Sequence, residues 1–192
     1  YTVMKSKVWF VAFFLLLFVN VSKAQFVKKH GQLSVLGTQL VDKENNPIVL
    51  RGLSFGWHSM WPRFYNEKAV SWLKKDFNCN VVRAAMGIEL GEYSYIKDPK
   101  FSKEKIEAVV NGAIKSDIYV IIDWHSHNVN LKEAKEFFAE MSKKYAKYPN
   151  IIYEVFNEPD YETWKEVKTY SEEVIRVIRE NDPNNIILVG SP

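Results

Sequence analysis

Ile151-Ile152-Tyr153-Glu154-Val155-Phe156-Asn157-Glu158-Pro159 is the stretch on which the reading of this chain turns. Its largely apolar run predicts a strand buried in a parallel sheet. Pro159 has no N–H to give to a ladder, so it stops the strand and leaves Glu158 at the sheet's carboxyl edge. In regular alternation Glu154, Phe156 and Glu158 share one face, while Tyr153, Val155 and Asn157 share the other. Glu154 and Glu158 are then about 13 Å apart at ~3.3 Å per residue, too far to act together on one bond. Taken alone, Glu158 reads equally well as a solvated charge at a strand end.

Outward from this stretch the same unit repeats. Short apolar runs lie near Gly52–Phe55, Val81–Ala85, Tyr119–Asp123 and Ile186–Gly190. Between the runs, Glu67–Lys75, Lys103–Lys115, Leu131–Lys147 and Tyr161–Glu180 carry helical spacing. A strand-helix repeat implies a parallel sheet. An open doubly wound sheet would announce a nucleotide site with a glycine-rich turn, and no G-x-G-x-x-G or G-x-x-x-x-G-K is present. Polar residues instead stand at the carboxyl ends of successive strands: Trp57 and His58, Arg83, His125, then Asn157-Glu158. A (β/α)8 TIM barrel assembles its active site in this way. The fold expected is therefore α/β, a TIM barrel of which about the first five strands are present. Upstream, Leu33–Leu36 and Gln39–Leu50 predict a hairpin turning at Lys43-Glu44-Asn45-Asn46-Pro47.

Residues 1–24 read as an export signal, with residues 1–3 upstream of the start at Met4. Lys5 and Lys7 precede an apolar run from Val8 to Val19, and Ser22-Lys23-Ala24 offers small residues to a signal peptidase. The run is shorter than the roughly 20 residues of a membrane span. The chain is thus expected to be secreted, with no membrane contact after cleavage. Removing the segment's three lysines from 26 basic residues leaves 23, equal to the 23 acids, so the charge gives no case for a nucleic-acid partner. Cys79 is the only cysteine and is expected to be a buried thiol. Residues 25–192 read as one domain without a linker, acting as a monomer.

At this point the chain resembles glycoside hydrolase family 5, in particular its secreted bacterial-type cellulases. The resemblance rests on Leu50-Arg51-Gly52-Leu53-Ser54, Asn80-Val81-Val82-Arg83-Ala84-Ala85-Met86, Val120-Ile121-Ile122-Asp123-Trp124-His125, Ile151 to Pro159, and Asn184-Asn185-Ile186-Ile187-Leu188-Val189-Gly190. It covers nearly all of the chain beyond the export segment, but only the first five strands of the family's barrel. It implies a retaining endo-β-1,4-glucanase that needs no metal or organic cofactor and takes cellulose or another β-1,4-linked polysaccharide.

Carried onto this sequence, the resemblance makes Glu158 the general acid/base, kept protonated by apolar walls and a second carboxylate. Asn157 would bind the sugar 2-hydroxyl, Arg83 would hold the nucleophilic carboxylate ionised, and His125 would donate hydrogen bonds to substrate or catalytic carboxylates. The nucleophile itself belongs to the family's seventh strand. Trp61 is expected to stack on a sugar face, with His58 beside it as a second substrate contact. Other readings stay open. Arg83 pairs structurally with Glu154, since an unpaired buried charge is costly, and Asp123 orients a neighbour. His125-x-His127 holds a metal. The whole is a mannanase or other β-glycanase of the family, or a secreted carbohydrate-binding protein without catalysis.

Overall fold

The computed structural model describes residues 25–191, so the export segment expected over residues 1–24 lies outside them. A short helix α1 (Phe26–His30) and an antiparallel hairpin, β1 (Ser34–Leu36) with β2 (Gln39–Val41), lead into the repeat. Five parallel strands follow: β3 (Gly52–Ser54), β4 (Val81–Gly87), β5 (Tyr119–His125), β6 (Ile151–Glu154) and β7 (Ile186–Leu188). Helices α2 (Glu67–Phe77), α3 (Pro99–Ser116), α4 (Leu131–Tyr145) and α5 (Trp164–Arg179) connect them. The strands pair in chain order, β3-β4-β5-β6-β7, with no reversal. A doubly wound sheet reverses its order at a switch point, whereas a barrel does not, so the monotonic order is that of a partial barrel.

Local chemistry sets the helix ends. Asn66 and Asp98 accept the N–H groups of Ala69 and Phe101 at the starts of α2 and α3, and Thr163 with Glu166 forms a reciprocal capping box on α5. Helices α2 and α3 stop at left-handed Asn78 and Asp117. The main core lies between sheet and helices, where Trp124, Phe137, Phe138 and Tyr153 are fully buried. A second cluster, Val27, Leu33, Val81, Tyr119 and Ile152, closes the amino ends of the strands beneath α1. The Asp117 carboxylate accepts the N–H groups of Val27 and Lys28 at 3.1 and 3.2 Å and fixes α1 there. The polar strand ends therefore face the opposite, carboxyl rim.

Two expectations need correction. The hairpin turns at Gly37-Thr38, where Gly37 has φ +61°. The Lys43–Pro47 cluster forms a separate turn after β2, drawn in by Asp42, whose Oδ1 accepts the N–H groups of Glu44 and Asn46 at 3.0 Å each. Second, β6 ends at Glu154, before the stop expected at Pro159: the Val155 N–H still donates to the Leu188 carbonyl at 3.1 Å, but beyond it the chain turns so that Asn157 reaches Arg83. Cys79 is a buried free thiol, as expected.

Candidate active site

Arg83, Asp123 and Glu154 meet inside the sheet because of register. Asp123 is paired with Glu154 across β5 and β6, and with Ala85 on β4, two residues beyond Arg83 on the same face. Two carboxylates side by side repel, and Arg83 fills the space between them. Its Nε donates to Glu154 Oε2 at 2.7 Å and its Nη2 to Oε1 at 2.8 Å, a two-pronged clamp. The same Nη2 lies 2.9 Å from Asp123 Oδ2 and donates to Asn157 Oδ1 at 2.8 Å. Burial opposes the Arg83 charge, but the Glu154 hydrogen bond and the two carboxylate charges outweigh it and hold the guanidinium above its ordinary pKa. Asp123 is fully buried, and burial, then the Glu154 charge, push its carboxyl well above the usual range against the pull of Arg83.

Asn157 belongs to this cluster only because β6 has ended. Glu154 and Asn157 are three residues apart, so a regular strand would aim them at opposite faces, yet both reach Arg83. The turn past Val155 and Phe156 brings Asn157 back to the interior and points Glu158 out over the rim. Gly190, just beyond β7, packs against this turn. A Cβ there would stand 2.7 Å from the Phe156 carbonyl oxygen and 2.8 Å from that of Asn157. With Asn157 Oδ1 held by Arg83, its Nδ2 is a buried donor without a partner among the described residues.

His125 ends β5 with its Nδ1 2.7 Å from Asp123 Oδ2, which leaves Nε2 for another partner. Burial first, then the Arg83 and His127 charges, lower its pKa to about 4, so the ring is uncharged at neutral pH. Trp57 stands edge-on to His125 and tilted against His127, at centroid distances of 5.2 and 5.6 Å. Glu158 has a side chain 68% exposed, so the apolar walls expected around it are absent among the described residues. Its N–H donates to the Ser126 carbonyl at 3.4 Å. His127 Nδ1 lies 3.2 Å from Asp160 Oδ2 and 3.9 Å from Glu158 Oε2.

Trp61 is half exposed at the start of the short 3-10 turn Pro62–Phe64 and is free to present its ring. His58 is not on the rim. It is fully buried, its Nδ1 accepting the Gly87 N–H at 3.0 Å and its Nε2 2.8 Å from Ser102 Oγ. Both ring nitrogens are spent inside the protein, so the expected substrate contact is corrected to a tie between the β3 loop, β4 and α3. Sequence reading missed His127 and Asp160 as neighbours of Glu158, and took Asp123 for a lesser residue than its central place warrants.

Comparison with known proteins agrees with this architecture. The family described as Cellulase (glycosyl hydrolase family 5) matches residues 41–192. An endoglucanase of Clostridium saccharobutylicum is 43% identical over 84% of this chain and 37% of its own length. Endoglucanase A of Evansella cellulosilytica is 46% identical over 76% of this chain and 31% of its own. Among solved structures, a protein from Cytophaga hutchinsonii superposes with a TM-score of 0.82 at 47% identity, over 86% of this chain and 55% of that one. The catalytic domain of a Thermobifida fusca endoglucanase, solved in complex with cellotetraose, superposes at 0.80 with 34% identity and the same coverage of 86% and 55%. This chain thus spans about a third of the length of the curated relatives it matches and about half of the solved domains.

Proposed function

The chain belongs to the cellulase family, glycosyl hydrolase family 5, and from that premise we propose that it supplies the first five strands of the catalytic barrel of a secreted endo-β-1,4-glucanase. The substrate is cellulose or a related β-1,4-glucan, a reading supported by the cellotetraose held by the Thermobifida fusca relative. Export is directed by residues 1–24, in which Lys5 and Lys7 precede an apolar run. The observation that carries the catalytic reading is Glu158, free at the carboxyl edge and directly next to an Asn157 clamped by Arg83.

In this reading Glu158 protonates the glycosidic oxygen as the bond breaks, then takes a proton from the water that releases the sugar. Asn157 offers Nδ2 to the sugar 2-hydroxyl, since Arg83 occupies its oxygen. Hydrogen bonds at the 2-hydroxyl are among those that strengthen in the transition state of such hydrolyses. Arg83 supplies positive potential to the floor of the site, and His125 presents Nε2 to substrate. Trp61 offers a flat apolar face for a sugar ring. A retaining mechanism also needs a nucleophilic carboxylate about 5–5.5 Å from Glu158. Glu154 and Asp123 are bound up with Arg83, so the nucleophile is assigned to the seventh barrel strand, beyond β7. The test is Glu158→Gln in the barrel completed through its eighth strand. Turnover of unactivated β-glucan should fall by about 10²-fold or more while binding of cellotetraose is kept. Near-normal hydrolysis by the variant would reject the assignment.

A further inference from the structure

We infer that His127, held by Asp160, is a positioning residue for the Glu158 carboxyl. This inference rests on the reading of Glu158 as the acid/base and adds to that reading the device that aims it. A glutamate side chain with three free torsions loses conformational entropy when fixed, and a proton donor must be held within about 0.5 Å of its productive place. Glu158 lacks apolar walls and makes no side-chain hydrogen bond among the described residues. The one basic group there within 4.0 Å of its carboxylate is His127, at 3.9 Å.

The ring is placed for this task from three sides. Asp160 Oδ2, at 3.2 Å, accepts from Nδ1 and sets the ring's rotation. Trp57 packs 5.6 Å from it and His125 6.0 Å, centroid to centroid, which confines the ring between the first and third barrel loops. The backbone beneath is tied down by hydrogen bonds. Ser126 is fully buried, its Oγ 2.5 Å from Glu89 Oε1 and 2.6 Å from the Asn128 carbonyl, while its own carbonyl accepts the Glu158 N–H. The β5 loop and the Asn-Glu-Pro turn are thereby joined, and His127 Nδ1 lies between two carboxylates, bonded to Asp160 and within 3.9 Å of Glu158. A small rotation of the exposed Glu158 side chain toward the fixed Nδ1–H, now 3.9 Å away, gives the carboxylate a donor at the step where it carries charge.

The experiment compares two substrates in the completed barrel. A 2,4-dinitrophenyl β-cellobioside leaves without protonation, whereas cellotetraose requires it. His127→Ala should lower kcat on cellotetraose about tenfold or more with KM little changed, and leave kcat/KM for the dinitrophenyl substrate within about twofold. His127→Asn, whose amide sets a donor near the place of Nδ1, should recover part of the loss. Asp160→Asn should show a smaller loss of the same selective kind. Equal losses on both substrates, or no loss on either, would overturn the inference, and where His127→Ala does not fold the Asn variants decide. Glu158→Gln run alongside separates the two readings. If it shows the selective loss and the His127 variants do not, only the role of His127 fails, whereas an unaffected Glu158→Gln removes both.

Discussion

At the scale of single residues, Arg83 carries the greatest energetic weight. It sits between a fully buried Asp123 and a Glu154 whose side chain is 15% exposed, so its removal leaves two carboxylates crowded together and uncompensated. Arg83→Ala in the completed barrel should cost about 3–5 kcal/mol, read as a lowered denaturant midpoint, and Arg83→Lys should recover only part because ammonium cannot make the two-pronged contact. His58 gives a pH signature. Burial lowers its pKa from the ordinary 6.5 to about 4, so below pH 6.5 the unfolded chain binds a proton that the folded one refuses. Its contribution is complete above pH 6.5 and is lost as the pH falls through 4, about 3 kcal/mol at ~1.4 kcal/mol per pH decade. His125 acts in the same direction. His58→Gln should therefore narrow the stability gap to wild type between pH 7 and pH 4, and a constant gap over that range would refute the burial argument. The Arg83–Glu154 pair was legible in the sequence because a charge on an apolar strand needs a partner. His58 was misread because adjacency to Trp57 on an irregular loop fixes no direction, and His127 because its partners Asp160 and Glu158 lie some thirty residues away.

At the scale of elements, the strand starts at Gly52, Val81, Tyr119, Ile151 and Ile186 were all legible, since each opens an apolar run between helical patterns. The ends were not. Strands β4 and β5 continue to Gly87 and His125, pairing residue for residue through Gly87 with His125, whereas β6 stops early at Glu154. Sequence alternation contains no sign of that stop, because Val155 and Phe156 are apolar whichever side they take. The consequence is functional: only a broken strand can give Glu154 and Asn157 to the same arginine. Gly190 accepts the close passage of the turn. Gly190→Ala would drive a methyl group into the carbonyls of Phe156 and Asn157. It should cost about 1–3 kcal/mol and cut kcat on β-glucan, with the solvent-facing helices intact by circular dichroism. Unchanged kinetics would mean that the turn is not held in place by β7.

At the scale of the whole molecule, five strands in chain order leave two sheet edges among the described residues, β3 and β7. Leu53, Leu188 and Val189 are exposed along them. Open strand edges with apolar side chains invite pairing with another chain. Residues 25–192 produced alone should therefore self-associate and show no hydrolysis of carboxymethylcellulose, whereas a barrel completed through strand eight should be monomeric and active. Turnover by the short chain comparable to the completed one would refute the assignment of the nucleophile to a later strand. The central claim, that Glu158 is the acid/base of a retaining glycosidase, is tested most directly by azide rescue of Glu158→Ala in the completed barrel, with 2,4-dinitrophenyl β-cellobioside as substrate. A small anion fits the space left by the carboxylate and attacks the glycosyl-enzyme without needing a base. The account predicts that azide accelerates turnover of the variant but not of the wild type, and that the product is β-cellobiosyl azide. Hydrolysis by the variant at the wild-type rate, or the absence of any azide product, would contradict it.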